Sequence, residues 1–167
     1  MQPFNIRQLT RTDTEALLAF EIRNRDWFES HIDARDPAFY SLSGVAEHID
    51  GYLSDFEMGV WHPLVIEDAN QKIVGRANLK GIDSMSGAAE VGYRIDQQLC
   101  GQGLATLALK RLIQEAQERW ALKRLIAYVY EENLGSRKVL ERCGFAPDRP
   151  SPAGEDVEAE CRFILSI

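Results

Sequence analysis

Apolar positions recur with helical spacing in two segments of the first 60 residues. The clearer segment carries a stripe spaced i, i+4, i+7, i+8 and i+11, formed by Val45, Ile49, Tyr52, Leu53 and Phe56. This spacing places the stripe on one face of a helix, for which Ser43 is the expected N-cap. An earlier stripe that starts at Ala16 and continues toward Trp27 predicts a first helix, which begins at a capping box over 12–15.

The pattern changes to that of strands farther along the chain. A first strand is predicted near the N-terminus, and two apolar runs that flank the polar stretch 68–72 are typical of a β-hairpin. A further strand is predicted over 89–96. The remaining elements are a helix over 104–119, a strand over 122–130, a helix from 133 that ends at Gly144, and a last strand over 159–167.

This order of elements predicts a single domain over residues 1–167. The strands over 89–96 and 122–130 are joined through a helix, which is the connection that parallel strands need, whereas hairpins join antiparallel ones. The expected fold class is α+β, or mixed α/β. Its central sheet is mostly antiparallel with one parallel strand pair, and helices flank it.

Composition and charge narrow the classes of function. The chain has 167 residues, a net charge of −7 and 45% hydrophobic residues, as expected for a globular domain. The negative charge argues against general binding to nucleic acid or to an anionic membrane, and no apolar run is long enough for a membrane span. The cysteines and histidines lack metal-ligand spacing. We expect a cytoplasmic protein with reduced thiols and no metal.

Two glycines, Gly101 and Gly103, lie between the strand over 89–96 and the helix over 104–119. A backbone without Cβ atoms lets N–H groups converge on a ligand, and the start of a helix adds unpaired donors and a positive dipole end. This arrangement suits an anion such as a phosphate. A plain strand-to-helix turn is the alternative explanation.

A dinucleotide-binding fingerprint is another interpretation of the same stretch. Gly101, Gly103 and Thr106 match G-x-G-x-x-G/A except at its last position, and the acidic pair Glu131 and Glu132 follows the next strand, as that motif requires. However, the motif belongs on the first strand of a repeating β-α-β array. At least three predicted strands precede these glycines, so a dinucleotide fold does not fit the chain.

Three stretches together resemble the GNAT superfamily of N-acetyltransferases, which use acetyl-CoA, and most closely its RimJ/RimL branch, which acetylates protein N-terminal amines. They are VIEDANQKIVGRANL, AAEVGYRIDQQLCGQGLATLAL and YVYEENLGSRKVLERCGF. The superfamily's pyrophosphate motif, Q/R-x-x-G-x-G/A, matches from Gln98 and, with a cysteine in its first position, from Cys100. We favour the Cys100 register because it aligns with the RimJ-like pattern without gaps.

The resemblance implies a binding site for acetyl-CoA. Its pyrophosphate is expected on the backbone amides of Gly101, Gln102, Gly103, Leu104, Ala105 and Thr106. Backbone groups of Arg94 and Ile95 are expected to pair with the pantetheine arm like an added strand. Asn133, in the family's N-x-x-S/A element, is expected to hydrogen-bond the same arm, although its position at a helix start also suits an N-cap. Arg137 or Lys138 is a candidate for the CoA phosphates.

Acetyl transfer to an amine needs a base for the amine and a proton donor for the thiolate. Glu90 is the best candidate for the base, because RimJ-like proteins usually carry glutamate at this place. The alternative is that Glu90 faces solvent or pairs with a nearby arginine, for example Arg76. The superfamily's usual acid is a tyrosine at the position of Leu140, which has no proton to donate. The resemblance to the RimL branch then implies Ser136 as the donor, with Tyr93 and Tyr130 as other hydroxyls on adjacent strands.

The predicted function is therefore acetyl-CoA-dependent N-acetyl transfer by direct attack of a primary amine. A protein or peptide N-terminal α-amine is the favoured acceptor, and the chain's negative charge would suit a basic one. The alternatives are a small amine, antibiotic or polyamine, or a non-catalytic acyl-CoA-binding module. Residues considered for the acceptor side are Trp27, Phe28, Trp61 and His62. The sequence leaves the acceptor's identity and a homodimer open.

Overall fold

The computed structural model of the protein describes residues 3–30, 32–130, 133–148 and 160–167, without the side chains of Tyr130 and Glu160. The helices are α1 (Thr14–Arg23), α2 (Arg25–Glu29), α3 (Leu42–Glu57), α4 (Leu104–Glu118) and α5 (Leu134–Arg142). The strands are β1 (Asn5–Gln8), β2 (Trp61–Glu67), β3 (Ile73–Asp83), β4 (Ala88–Ile95), β5 (Arg124–Tyr130), β6 (Ala146–Asp148) and β7 (Glu160–Ser166). Within these ranges no helix is long and apolar enough to cross a membrane.

The strands form one sheet in the order β1-β2-β3-β4-β5-β7-β6. Neighbouring strands are antiparallel except β4 and β5, which are parallel. Helix α4 connects these two strands, as a parallel crossover requires. The predicted fold class, a mostly antiparallel sheet with one parallel pair, is confirmed.

Helices cover both faces of the sheet. One core contains Leu109 of α4 and Leu140 of α5, and the other contains Phe20 of α1 and Ile49 of α3; all four side chains are fully or almost fully buried. Successive residues of β2 alternate between the two cores, which places the cores on opposite faces of the sheet. The sheet thus separates a side covered by α4 and α5 from a side covered by α1 and α3.

The predicted first helix is two helices, separated at the buried Asn24. The Asn24 amide nitrogen donates to the Phe20 carbonyl at 3.0 Å, and its amide oxygen accepts from the Gln97 N–H at 2.9 Å. Beside it, the Arg23 guanidinium donates to Asp96 at 2.7 and 2.9 Å. A buried asparagine side chain competes with helical hydrogen bonding, which explains the break between the two helices. The bonds of Asn24 and Arg23 to Gln97 and Asp96 attach the helices to the end of β4.

The caps of the first long helices differ from the predicted ones by two residues. The Asp13 carboxylate accepts the Thr10 N–H at 2.8 Å, in place of a box over 12–15. Helix α3 begins after Ser41, whose hydroxyl accepts the Gly44 N–H at 3.0 Å, and not after Ser43. The three-residue strand β6 was not predicted, because it is too short to show an alternating pattern.

Candidate active site

Strands β4 and β5 separate partway along their length. Their parallel pairing covers three positions and ends where Glu90 faces Ile126, whereas β4 continues to Ile95 in register with β3. Past Glu90, β4 has no strand partner on its β5 side in the described part of the chain. A wedge-shaped gap therefore opens in the sheet directly after Glu90.

The register with β3 tells which backbone groups of β4 face this gap. The Asp96 N–H donates to the Val74 carbonyl of β3 at 2.9 Å, and successive residues of a strand direct their backbone groups to alternate edges. The backbone of Arg94 therefore faces β3. The residues whose backbone groups face the gap are Val91, Tyr93 and Ile95. The predicted pantetheine contact thus fits Ile95 but not Arg94, because the parity of the pairing decides the edge.

Glu90 lies at the point where the gap begins, beside a lysine. Its carboxylate is 3.8 Å from the ammonium of Lys80, its register partner on β3. Arg76, the partner considered from the sequence, donates instead to the carboxylate of Glu21 on α1 at 2.8 Å. Burial lowers the pKa of Lys80, and the neighbouring Glu90 partly offsets this. At the point where the sheet opens, the Glu90 carboxylate thus lies next to the ammonium group of Lys80.

The glycine stretch forms a cradle of free backbone amides. Gly101 and Gly103 have φ angles of 81° and 82°, in the left-handed region that favours glycine. The first backbone bond of α4 runs from the Leu107 N–H to the Gly103 carbonyl. None of the N–H groups over 101–106 donates to a group within the described ranges. The Thr106 hydroxyl is buried there without a hydrogen-bond partner. This arrangement fits a bound oxyanion.

The start of α5 faces β4 from the other side of the gap. The Asn133 side-chain oxygen caps α5 by accepting the Ser136 N–H at 3.1 Å, which leaves its amide nitrogen without an acceptor in the described structure. The Ser136 hydroxyl is 2.8 Å from the Tyr93 hydroxyl. Burial raises the pKa of Tyr93, and the bond to Ser136 partly offsets this. Leu140, one turn later, is fully buried.

Two other residues of the predicted CoA site lie on the surface of this region. Gln102 is exposed, and its side-chain nitrogen donates to the Gln98 carbonyl at 3.5 Å. Arg137 is half-buried in the first turn of α5, and α5 packs against α4. Leu104 is buried in the core, so its backbone amide is the group that it presents to the cradle.

A cavity of about 450 Å³ passes through the gap and joins the two faces of the sheet. On the α5 side its wall includes Tyr93, Asn133 and Ser136. On the α1 and α3 side the wall is strongly polar. Its charged residues are Asp33, Arg35, Arg76, Lys80, Glu90 and Arg94. A thioester placed in the gap would therefore meet hydroxyl groups on one side and ionic side chains on the other.

Four residues considered for the acceptor side are placed elsewhere. Phe28 is buried in the α1–α3 core, and the ring nitrogens of Trp61 and Trp120 donate to Asn78 and to His62, respectively. Trp27 also lies outside the cavity wall. Glu131 and Glu132 fall outside the described residues, as does the side chain of Tyr130. Over the described ranges, no cluster of three or more His, Cys, Asp or Glu side chains suits a metal ion.

Comparison with known proteins decides the family. The profile of the acetyltransferase (GNAT) domain matches residues 4–146. The chain belongs to the GNAT acetyltransferase family. It is 31% identical over 144 residues to the protein named "Probable N-acetyltransferase YjcK" of Bacillus subtilis, a match that covers 84% of this chain and 78% of that protein.

Solved structures share the GNAT fold over almost the whole chain. The ribosomal-protein-S5-alanine acetyltransferase of Vibrio fischeri superposes with a TM-score of 0.87 at 21% identity and covers 100% of this chain and 96% of that one. The ribosomal L7/L12 α-N-protein acetyltransferase RimL, solved with coenzyme A, superposes with a TM-score of 0.85 at 20% identity and covers 98% and 94% of the two chains.

Membership in the GNAT family fixes the class of chemistry. The chain is an N-acetyltransferase, and acetyl-CoA is its acetyl donor. The family assignment also decides against the dinucleotide interpretation of Gly101 and Gly103, and it favours catalysis over a non-catalytic binding module. The resemblance found in the sequence is thus confirmed.

Two contacts of this GNAT site were not predicted. Tyr93 was considered only as an alternative hydroxyl, yet it is bonded to Ser136; strand alternation, which puts it on the opposite face from Glu90, was the signal that could have shown this. The position of Lys80 beside Glu90 follows from the register between β3 and β4. A hairpin's register depends on its turn, and here a register irregularity in β3, between Lys80 and Asp83, also precedes the turn.

Proposed function

We propose that this protein acetylates the N-terminal α-amine of a protein or peptide by direct attack of the amine on acetyl-CoA. The observation that carries the proposal is the gap that opens between β4 and β5 at Glu90. The gap has free amides at its far end, hydroxyl groups on one side and a carboxylate on the other. These are the groups that binding and proton transfer require in this reaction.

The donor would be held by backbone groups. The free N–H groups over 101–106, at the start of α4, suit the pyrophosphate, since a helix start attracts anions. The open edge of β4 offers the backbone groups of Val91, Tyr93 and Ile95 to the pantetheine arm, which contains amides of its own. The amide nitrogen of Asn133 is a further donor for this arm. Acetyl-CoA supplies an acetyl group on a thiolate leaving group.

Glu90 is the proposed base. The acceptor arrives as an ammonium and must transfer a proton before its nitrogen has a lone pair for attack. The Glu90 carboxylate takes this proton, directly or through a water molecule. The ammonium of Lys80 lies 3.8 Å from this carboxylate and is a neighbouring cation at the site. The new C–N bond then forms while the C–S bond breaks, and the second proton that the nitrogen loses as the amide forms neutralises the thiolate of CoA.

Ser136 and Tyr93 are the proposed donors for the leaving thiolate. Their hydroxyl groups are hydrogen-bonded to each other, and both lie on the α5 side of the cavity, opposite Glu90. Burial keeps the phenol of Tyr93 protonated. A hydrogen bond from this pair to the thiolate sulfur stabilises the negative charge that develops there. Glu90 thus acts on the attacking amine from one face of the sheet, and the Tyr93 and Ser136 hydroxyl groups act on the leaving sulfur from the other face.

Two observations support a peptide acceptor over a small amine. Similar structures act on proteins, as their names state: one on ribosomal protein S5 and one on L7/L12. The cavity wall on the α1 and α3 side also continues beyond Glu90 along the polar face of β3 and β4 through Arg76 and Arg94. A single amine has no need of a wall of this extent, whereas the residues after an N-terminal amine would contact it.

Thermal unfolding with acetyl-CoA, followed by a peptide assay, tests the proposal. A ligand at one hundred times its Kd stabilises the folded state by about 2.7 kcal/mol, so the melting temperature should rise clearly. Mass spectrometry should then find acetyl groups on peptide α-amines and not on lysine side chains. Replacing Glu90→Gln should abolish most turnover but keep the thermal shift, while Glu57→Gln, at an exposed position on α3, should keep both. Turnover of lysine side chains or small amines alone would overturn the proposed acceptor.

A further inference from the structure

Three arginines converge on one buried carboxylate at the acceptor side of the cavity. The side chain of Glu21 on α1 is completely buried. Its oxygens lie 2.8 Å from a terminal nitrogen of Arg76, 3.3 Å from one of Arg94 and 3.7 Å from the Nε of Arg35. We call Arg35, Arg76 and Arg94 the arginine cluster. Glu21 holds the three guanidinium groups together at one point.

The arginine cluster is also fixed by aromatic rings. Each guanidinium lies over a ring from α2, α3 or the segment between them, at a distance typical of a cation–π contact. The pairs are Arg35 with Phe39 at 4.5 Å, Arg76 with Tyr52 at 5.4 Å and Arg94 with Phe28 at 5.1 Å. Stacked guanidinium groups keep their N–H edges for other partners. The cluster is thus ordered before any acceptor binds.

The positive charge of the cluster exceeds the negative charge around it. Glu21 offers one charge against three, and Glu90 is paired with Lys80. His48 accepts from Arg76 at 2.8 Å; burial, with the nearby arginines, lowers the pKa of His48 to about 3, so it stays neutral. The other acid on this wall, Asp33, is exposed.

The surplus charge is costly without a further partner. The side chains of Arg35 and Arg94 are 21% and 24% exposed, and that of Arg76 is 3% exposed. The Nε of Arg35 is buried and has no hydrogen-bond partner in the described structure. Burial lowers the pKa of Arg94 to about 10. Buried cations are ordinarily paired and hydrogen-bonded, so an additional anion would complete this site.

The position of the cluster relates it to the acceptor. Its three arginines line the same cavity as Glu90. Glu90 and Arg94 are four residues apart on the same face of β4, so their Cα atoms are about 13 Å apart. An extended peptide covers this distance in about four residues. An anion on the cluster would therefore lie within the first four residues of an acceptor whose amine is at Glu90.

We propose that the arginine cluster binds an oxyanion of the acceptor, so that the preferred substrate is an amine with a carboxylate or phosphate nearby. This inference rests on the proposed function and narrows its substrate class. In a peptide the oxyanion is an Asp or Glu side chain, or a phosphorylated residue, among the first four residues. The cluster disfavours polyamines and basic N-termini, in spite of the chain's net charge of −7.

A set of matched peptides tests the inference. The set contains one sequence with Asp, Asn, phosphoserine or Lys at its second, third or fourth position, together with a small amine that bears a phosphate. The peptide with Asp or phosphoserine should have a kcat/KM at least about tenfold above that of the Asn peptide, the size of one hydrogen bond to a charged group. Acetylation of the phosphate-bearing small amine would indicate a general oxyanion site, whereas acetylation of the peptides alone would indicate a site that requires a peptide. Equal rates with Asp and Asn at every position, or a preference for Lys, would overturn the inference.

Variants of Arg35 connect the preference to the cluster. Arg35→Gln should reduce the Asp-over-Asn ratio to about threefold or less, and Arg35→Lys should restore part of it, because the charge remains without the planar fork. Neither change should alter the KM for acetyl-CoA. Arg25→Gln is the matched control, since Arg25 pairs with Glu29 and lies outside the cavity wall. An unchanged ratio in Arg35→Gln and Arg94→Gln would contradict the assignment to this cluster.

A binding measurement separates this inference from the proposed function. Titration of acetylated, unreactive Asp and Asn peptides into the CoA-bound protein measures recognition without turnover. Tighter binding of the Asp peptide, with no acetylation of any peptide amine, would support the anion site and overturn the peptide acetyltransferase. Acetylation of the free-amine Asp and Asn peptides, with equal binding of their acetylated forms, would support the peptide acetyltransferase and overturn the anion site.

Discussion

The hydroxyl oxygens of Tyr93 on β4 and Ser136 on α5 lie 2.8 Å apart across the mouth of the gap in the sheet. This bond joins the open edge of β4 to the first turn of α5. Leu140, which occupies the position of the superfamily's usual tyrosine, is fully buried and has no proton to offer. The Tyr93–Ser136 pair therefore supplies hydroxyl groups that this position of α5 lacks.

Removing the phenol oxygen should slow the reaction without weakening substrate binding. We expect Tyr93→Phe to lower kcat by about one hundredfold, the lower end of proton-transfer effects, with KM for acetyl-CoA within about twofold. Tyr40→Phe, in the loop before α3, is the control. Steady-state kinetics of Tyr93→Phe, Ser136→Ala and the double variant provide the measurement. If the two residues act as a unit, the double variant is no slower than the slower single variant. Full additivity would contradict the pair.

A side chain at Gly103 should weaken acetyl-CoA binding. Gly103 and Gly59 both have left-handed φ angles, 82° and 77°, so an alanine costs about 1 kcal/mol of backbone strain at each. Only Gly103 borders the free amides of the cradle. Calorimetric titration should therefore show at least about a tenfold rise in Kd for Gly103→Ala and none for Gly59→Ala, at similar losses of melting temperature. Equal affinities would mean that the glycine serves the turn alone.

The cradle shows what the sequence predicts well. Two glycines before a helical stripe specify a backbone conformation and a set of free amides through local chemistry alone. The strand over 89–96 and the helix over 104–119 have an observed boundary within one residue of the predicted one at each end. Because the alternation along that strand is also local, it places Glu90 and Arg94 on one face and Tyr93 on the other.

The remaining contacts depend on how distant segments meet. Tyr93 and Ser136 are 43 residues apart in the sequence, and Glu21 and Arg76 are 55 apart. No periodicity within one segment tells which of them become neighbours. The direction of the Arg94 backbone is a further example of what the sequence could not predict. A shift of one residue in the register of β3 against β4 would decide whether this backbone faces the gap. The arginine cluster could not be predicted from the sequence either, because its residues come from distant segments of the chain.

Replacing Asp96 should both destabilise the protein and loosen the cradle. Its buried carboxylate accepts from Arg23 at 2.7 Å and from the Gln98 N–H at 3.0 Å, in the turn before Gly101. In Asp96→Asn one of the two accepting oxygens becomes an amide nitrogen and Arg23 loses its buried counter-charge, which costs about 3 kcal/mol. Denaturant unfolding should show this loss for Asp96→Asn, along with a higher Kd for acetyl-CoA. Asp50→Asn, in an exposed pair with Arg11, should change stability by about 1 kcal/mol at most. Similar losses in both variants would contradict the role of burial.

The buried His62 should make the stability of the protein fall in mild acid. Its Nδ1 accepts from the Trp120 ring nitrogen at 3.0 Å, and burial lowers its pKa from 6.5 to about 4, with Glu115 partly offsetting this. Between these two values the unfolded chain binds a proton that the folded chain excludes. The free energy of unfolding therefore decreases as pH falls from 6.5 to 4, by about 3 kcal/mol for this group, and is independent of it above 6.5.

The slope of stability against pH isolates this effect. Denaturant unfolding at pH 7, 6, 5 and 4 gives the slope of the unfolding free energy against pH, which measures the protons taken up on unfolding. The slope for His62→Gln should correspond to about one proton fewer than the slope for the wild type. This difference does not depend on the variant's stability at pH 7. His48, whose pKa is lowered to about 3, contributes to the slope in both proteins and does not obscure the difference. The carboxylates Asp13 and Asp96 have pKa values lowered below 3.8, so their contribution comes at still lower pH. Equal slopes in the two proteins would mean that His62 takes up its proton within the fold. That result would contradict the hydrogen bond from Trp120, which requires an unprotonated Nδ1.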